Sequence, residues 1–146
     1  MRVLVIHGPN LNLLGEREPA VYGSHTLAQV DDAIRETAAS LGIEVETQQH
    51  NGEGAIIDAL HAARKSVDCV VLNPGAYTHY AYAIADAIAA IQIPVIEVHL
   101  SNVHKREEFR RKSVVAPVCA GSIGGFGVQS YVLALHAARA LAEGSR

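Results

Sequence analysis

The 146-residue chain has only two cysteines, Cys69 and Cys119, and they form neither a CxxC pair nor a zinc knuckle. Both lie in apolar runs, so they read as buried free thiols of a reducing cytosol. An excess of positive charge is also missing. Lys+Arg is 12 against 15 for Asp+Glu, a net charge of −3, which argues against a nucleic-acid-binding surface. No apolar run approaches the roughly 18 residues that a membrane span needs. The apolar stretch after Met1-Arg2 is only Val3-Leu4-Val5-Ile6, too short for a signal peptide, so a cytoplasmic protein is expected. There is no G-x-G-x-x-G after this first run, no P-loop and no G-x-S-x-G elbow. The eight histidines show no HxxxH or HxH spacing, and nothing in their pattern requires a metal.

What remains is a globular composition, 49% hydrophobic and 18% charged, at a length that predicts one domain over residues 1–146. Short β-branched runs at residues 3–6, 45–48, 69–72 and 95–98 predict strands. A fifth at 114–119 is weaker because Pro117 interrupts it, a position an edge strand tolerates. Between them lie helical stretches. Thr26-Leu27-Ala28-Gln29 fits a capping box, Leu27, Val30, Ile34, Ala38 and Leu41 recur at helical spacing, and Gly42 suits the stop. Further helices are expected over about 53–64 and 79–91, and along Val128, Tyr131, Leu135, Ala138 and Leu141. Strands alternating with helices predict a parallel sheet covered on both faces, in the flavodoxin-like strand order 2-1-3-4-5. The late Gly121–Gly127 stretch is expected to serve close helix–sheet packing. The third helix is apolar nearly all round, with Asp86 its only charge, which predicts burial against another subunit.

In such a sheet, ligands bind beyond the carboxyl ends of the strands, at the switch in strand order. That rule gathers Asn10, Asn73, His79, His99 and Ser101 into one crevice. Glu97 and His99 have strand spacing and face the same way, so the carboxylate can orient the imidazole. Asn10 and Asn73 also suit ordinary turns, His79 a helix start, and Glu97 with His99 a structural pair. The long connection over residues 8–25 exceeds the usual 2–6 residues, which marks it as disordered or functional. Within it Gly15 and Gly23 bracket Arg17 and Tyr22, a hinged lid in which a guanidinium favours the tyrosinate, or else a solvated charged loop. The cluster over residues 105–111 reads as a solvated short helix with charge pairs, from which one arginine could turn inward.

The motifs Gly8-Pro9-Asn10-Leu11-Asn12-Leu13-Leu14-Gly15, Arg17-Glu18-Pro19 and Tyr22-Gly23 closely resemble the N-terminal signature of the type II 3-dehydroquinate dehydratases. Asn73-Pro74-Gly75-Ala76-Tyr77-Thr78-His79, Glu97-Val98-His99-Leu100-Ser101-Asn102 and Arg106-Glu107-Glu108-Phe109-Arg110 resemble the later blocks in order, so the likeness covers essentially the whole chain. The resemblance implies a flavodoxin-like fold, no cofactor or metal, and a homo-oligomer, a dodecamer built from trimers. It implies dehydration of 3-dehydroquinate to 3-dehydroshikimate by anti elimination through an enolate, in aromatic biosynthesis or quinate breakdown. By the same resemblance Tyr22 is the base, Arg17 its activator, His99 the acid and Glu97 its orienting partner, and Asn10 helps hold a water that stabilises the enolate. Asn73, His79, Arg110 and the backbone at Leu100 and Ser101 bind substrate, and Asp86 reaches the neighbouring subunit's site. Ala81 and Ala85 stand where family members often carry serine and arginine. Two other classes share the fold pattern: an inactive oligomeric binding module, disfavoured by the intact Arg17, Tyr22 and His99, and a flavin or nucleotide carrier, disfavoured by the lack of a hydroxyl-rich loop after the first strand.

Overall fold

The computed structural model describes residues 1–144. Five parallel strands, β1 (Arg2–His7), β2 (Glu44–Gln49), β3 (Cys69–Asn73), β4 (Val95–His99) and β5 (Gly121–Gly124), form one sheet in the order β2-β1-β3-β4-β5. The expected strand order is therefore present. Strand alternation sends Val3, Val5, Cys69 and Val71 to one face, against α2 (Leu27–Leu41) and α5 (Val128–Ala142). It sends Leu4, Ile6, Val70 and Leu72 to the other, against α3 (Glu53–Ala63) and α4 (Tyr82–Ile91). Two apolar cores result, one on each face. α2 opens with the capping box read from the sequence: Gln29 N–H donates to Thr26 Oγ1 while Thr26 N–H donates to Gln29 Oε1. It stops at Gly42 in the left-handed conformation.

Three expectations need correction. The fifth strand is Gly121–Gly124, not residues 114–119, where Pro117 falls in a 3-10 turn over Ala116–Val118. Pairing with β4 carries the real strand, despite its glycines, because its backbone groups need partners more than its side chains need a surface. The glycines here also do not serve helix–sheet packing. A Cβ on Gly124 would lie 3.4 Å from His99 Cβ, so the close approach is to the end of β4. Finally, α4 begins at Tyr82, after a 3-10 turn over Gly75–His79. Ile84, Ala85, Ala87, Ile88 and Ile91 of this helix are buried within the subunit itself, so only Tyr82, Ala83, Asp86, Ala89 and Ala90 face outward. Cys69 is fully buried and Cys119 partly so, and both are free thiols that burial pushes up to about 12. No helix among the described residues is long and apolar enough to cross a membrane.

The connection over residues 8–25 is ordered by local structure: a 3-10 turn over Leu11–Leu13, then α1 (Pro19–Tyr22). Its departure from β1 is tight. A Cβ on Gly8 would meet the Asn73 carbonyl oxygen at 2.5 Å and the Pro74 carbonyl carbon at 2.9 Å, both main-chain atoms that cannot swing aside. Gly8→Ala should therefore force β1 and β3 apart at the site, at a cost of roughly 1–3 kcal/mol. Urea denaturation should show a lower midpoint, and an unchanged midpoint would show that the strand ends tolerate the separation.

Candidate active site

A cavity of about 180 Å³ opens beyond the carboxyl ends of β1, β3 and β4. Of the expected site residues, Asn10, Arg17, Tyr22, Asn73, His79, His99, Leu100, Ser101 and Arg110 all line it. Glu97 lies behind His99 rather than on the wall, and Asp86 is exposed on α4 outside this chain's cavity. Three arginines and no carboxylate line the space, which suits an anionic ligand.

One wall is built by the loop after β1. Asn10 sits at φ 67°, a left-handed conformation that asparagine tolerates better than most residues, and its N–H donates to Asn51 Oδ1 at 3.1 Å. Tyr22, at the end of α1, points its hydroxyl at two guanidinium groups. Arg106 Nη1 donates to Tyr22 Oη at 2.7 Å and Arg17 Nη2 at 3.4 Å. Their Cζ atoms also stand 5.1 Å and 4.5 Å from the centre of the phenol ring. The couple of Arg17 and Tyr22 read from the sequence is thus present, but Arg106 makes the shorter bond. Arg106 is the arginine of the 105–111 cluster that turns most deeply inward, with its side chain 14% exposed. Arg110 instead donates Nε–H to Glu107 Oε2 at 2.5 Å, and this holds the Glu107 carboxyl below its usual range. The charge pattern of the cluster announced surface pairing, and nothing in its spacing singled out Arg106.

The opposite wall is β4. Glu97 and His99 share a strand face, and His99 Nε2 lies 2.5 Å from Glu97 Oε2. Glu97 is 1% exposed. Burial pushes its carboxyl up, but hydrogen bonds from His99, Thr78 and Ser113 and the charge of His99 outweigh this and hold it below the usual carboxylate range. An ionised carboxylate only accepts, so Nε2 of His99 carries the proton and Nδ1 is turned away from Glu97. Thr78 and Ser113 hydroxyls both donate to the carboxylate, and Ser113 Oγ accepts the N–H groups of Val115 and Ala116. Sequence reasoning passed over both hydroxyl residues, because serine and threonine are too common in turns to stand out. His79 directs Nδ1 to the Lys112 carbonyl at 2.7 Å, with its ring edge against Phe109.

The comparisons with known proteins agree with this architecture. The chain matches the family model described as dehydroquinase class II over residues 1–139 and belongs to that family. It is 57% identical over 142 residues to the 3-dehydroquinate dehydratase of Pelotomaculum thermopropionicum, covering 97% of this chain and 99% of that protein. With the 3-dehydroquinate dehydratase of Bacillus cereus it shares 57% identity over 136 residues, 93% of each chain. The crystal structure of type II dehydroquinase from Butyrivibrio crossotus superposes with a TM-score of 0.93 at 51% identity, covering 94% of this chain and 97% of that one. That from Propionibacterium acnes gives 0.91 at 42% identity, covering 94% and 95%.

The lowered Glu97 carboxyl has a consequence for stability. The unfolded chain takes up this proton near pH 4.5, whereas the folded chain resists it to lower pH. The stabilisation is complete above pH 4.5 and is lost as pH falls through the folded value. Glu97→Gln should flatten the fall in melting temperature below pH 4.5. An identical fall in the variant would mean that the carboxylate contributes nothing to acid sensitivity.

Proposed function

We propose that this chain dehydrates 3-dehydroquinate to 3-dehydroshikimate by anti elimination through an enolate, as one catalytic domain over residues 1–146. The observation that carries the reading is the Tyr22 hydroxyl held by Arg17 and Arg106, in a cavity that also holds His99 backed by a buried carboxylate. Removal of a proton alpha to a ketone needs a base and a group to stabilise the enolate oxygen, and departure of the hydroxyl needs an acid. Tyr22 as phenolate takes the proton, and the two guanidinium groups stabilise the negative charge on its oxygen before transfer. The electron pair left on carbon moves onto the ketone oxygen, where a water held by Asn10 stabilises it. Collapse of the enolate expels the hydroxyl, which leaves as water with the Nδ1 proton of the His99 imidazolium, whose Nε2–H stays hydrogen-bonded to Glu97. Glu97 holds the imidazole in the orientation this step requires. Asn73, His79, Arg110, Ser101 and the backbone at Leu100 bind the carboxylate and hydroxyls of the substrate.

The assembly belongs to the same proposal: a homo-oligomer, a dodecamer built from trimers, in the cytoplasm. The exposed strip of α4 has Asp86 as its only charge, and Tyr80, Tyr82, Phe109, Phe126 and Leu133 are large exposed hydrophobics. Asp86 then serves the cavity of a neighbouring subunit.

The direct test is the ultraviolet absorbance of the conjugated enone formed from 3-dehydroquinate, and a folded protein that forms none overturns the reading. Tyr22→Phe should lower turnover by about 10²–10⁴-fold, the range of general-base catalysis, and near-normal turnover would remove Tyr22 from the mechanism. Arg106→Ala should lower turnover by about tenfold or more, because the phenolate loses its shorter cationic hydrogen bond. Turnover at the wild-type level would assign Arg106 to packing alone. No lysine lines the cavity, so borohydride treatment with substrate should leave no adduct on the protein.

A further inference from the structure

A second polar network lies on the opposite face of the sheet, behind the cavity. His7 closes β1 and Asn73 closes β3, and the two are register partners across the strands. Both side chains point toward α2 and α5, where they meet Tyr131 of α5. Asn73 Nδ2 donates to Tyr131 Oη at 3.0 Å, His7 Nδ1 lies 2.8 Å from the same oxygen, and His7 Nε2 lies 2.7 Å from Asp31 Oδ1 on α2. His7 and Tyr131 are fully buried. Of these four residues only Asn73 reaches the cavity wall.

The donors and acceptors in this chain admit one direction. The Gly75 N–H can only donate, and it faces Asn73 Oδ1 at 3.1 Å, which fixes the amide so that Nδ2 faces Tyr131. Tyr131 Oη accepts that N–H, and its own proton goes to the lone pair of His7 Nδ1. Nε2 of His7 therefore carries the ring proton and gives it to the Asp31 carboxylate. Burial pushes the Tyr131 phenol up, so it stays a donor. Each donation strengthens the next, and the chain ends on a carboxylate. The amide is left with one Nδ2 proton beyond the bond to Tyr131.

We propose that Tyr131, His7 and Asp31 are positioning residues that lock the Asn73 amide and so set substrate affinity from outside the cavity. The proposal rests on the functional reading above, in which Asn73 binds substrate and transfers no proton. Losing such a contact weakens ground state and transition state alike, so it raises KM and leaves kcat in place. Tyr131→Phe should raise the KM for 3-dehydroquinate by about fivefold while changing kcat less than about twofold, the scale of one neutral hydrogen bond. The same substitution in an Asn73→Ala background should change KM no further. Asp31→Ala should raise KM, and Asp31→Asn, which keeps an acceptor for His7 Nε2–H, should restore it. Nitrogen NMR of the wild-type protein should show neutral His7 protonated at Nε2. The relay is overturned by an unchanged KM in folded Tyr131→Phe, by an equal rise in both backgrounds, or by a His7 that carries a proton on Nδ1. A wild-type protein that forms no enone would overturn the functional reading instead, while the NMR measurement would still decide the relay.

Discussion

Parallel pairing of β1 with β3 is the constraint on which the site depends. It places His7 beside Asn73 and leaves Gly8 so close to the Asn73 carbonyl that no side chain fits. From this point the connections diverge: the one after β1 leads to α2 on one face and the one after β3 leads to α4 on the other. The gap between the diverging connections is where a ligand fits, because main-chain groups there have no sheet partner. The two arginines, the phenol and the imidazole are arranged around a gap that strand order alone creates.

The two faces of the sheet carry different polar devices, and strand periodicity separates them. Glu97 and His99 share a face with Thr78 and Ser113, where a buried carboxylate is held by hydroxyls and an imidazole. His7 and Asn73 share the other face, where a buried phenol links an imidazole to an amide. Each charged group in these networks has its hydrogen bonds, and no buried side-chain nitrogen or oxygen among the described residues lacks a partner. Two separately satisfied networks let the His99 imidazole and the Asn73 amide be fixed without competing for the same donors.

Much of this was legible in the sequence. Capping chemistry at Thr26, the stop at Gly42 and the β-branched runs gave the elements, alternation gave the parallel sheet, and the flavodoxin-like pattern carried the strand order. The rule that ligands sit beyond strand ends gathers Asn10, Asn73, His79, His99 and Ser101 from the sequence alone. Legibility failed where local chemistry and tertiary context disagree. Residues 114–119 have strand composition, but Pro117 lies in a turn, while Gly121–Gly124 has poor strand composition and takes the vacant edge beside β4. Arg106 was hidden because a cluster of like residues offers no local reason to choose one. Tyr131 was hidden because it sits at a helical core position, where an aromatic ring needs no further explanation. Its hydroxyl matters only once β1 and β3 are seen to end beneath it.

The span of these contacts bears on how the protein is made. Every residue that lines the cavity lies between Pro9 and Arg110, yet Tyr131 Oη bonds His7 across 124 positions of chain. Contacts so distant in sequence form after the loops between them close. During synthesis, the ribosome therefore releases a complete set of cavity residues before it releases the helix that holds one of them still. The cavity exists in composition before it exists in shape, and α5 helps convert one into the other.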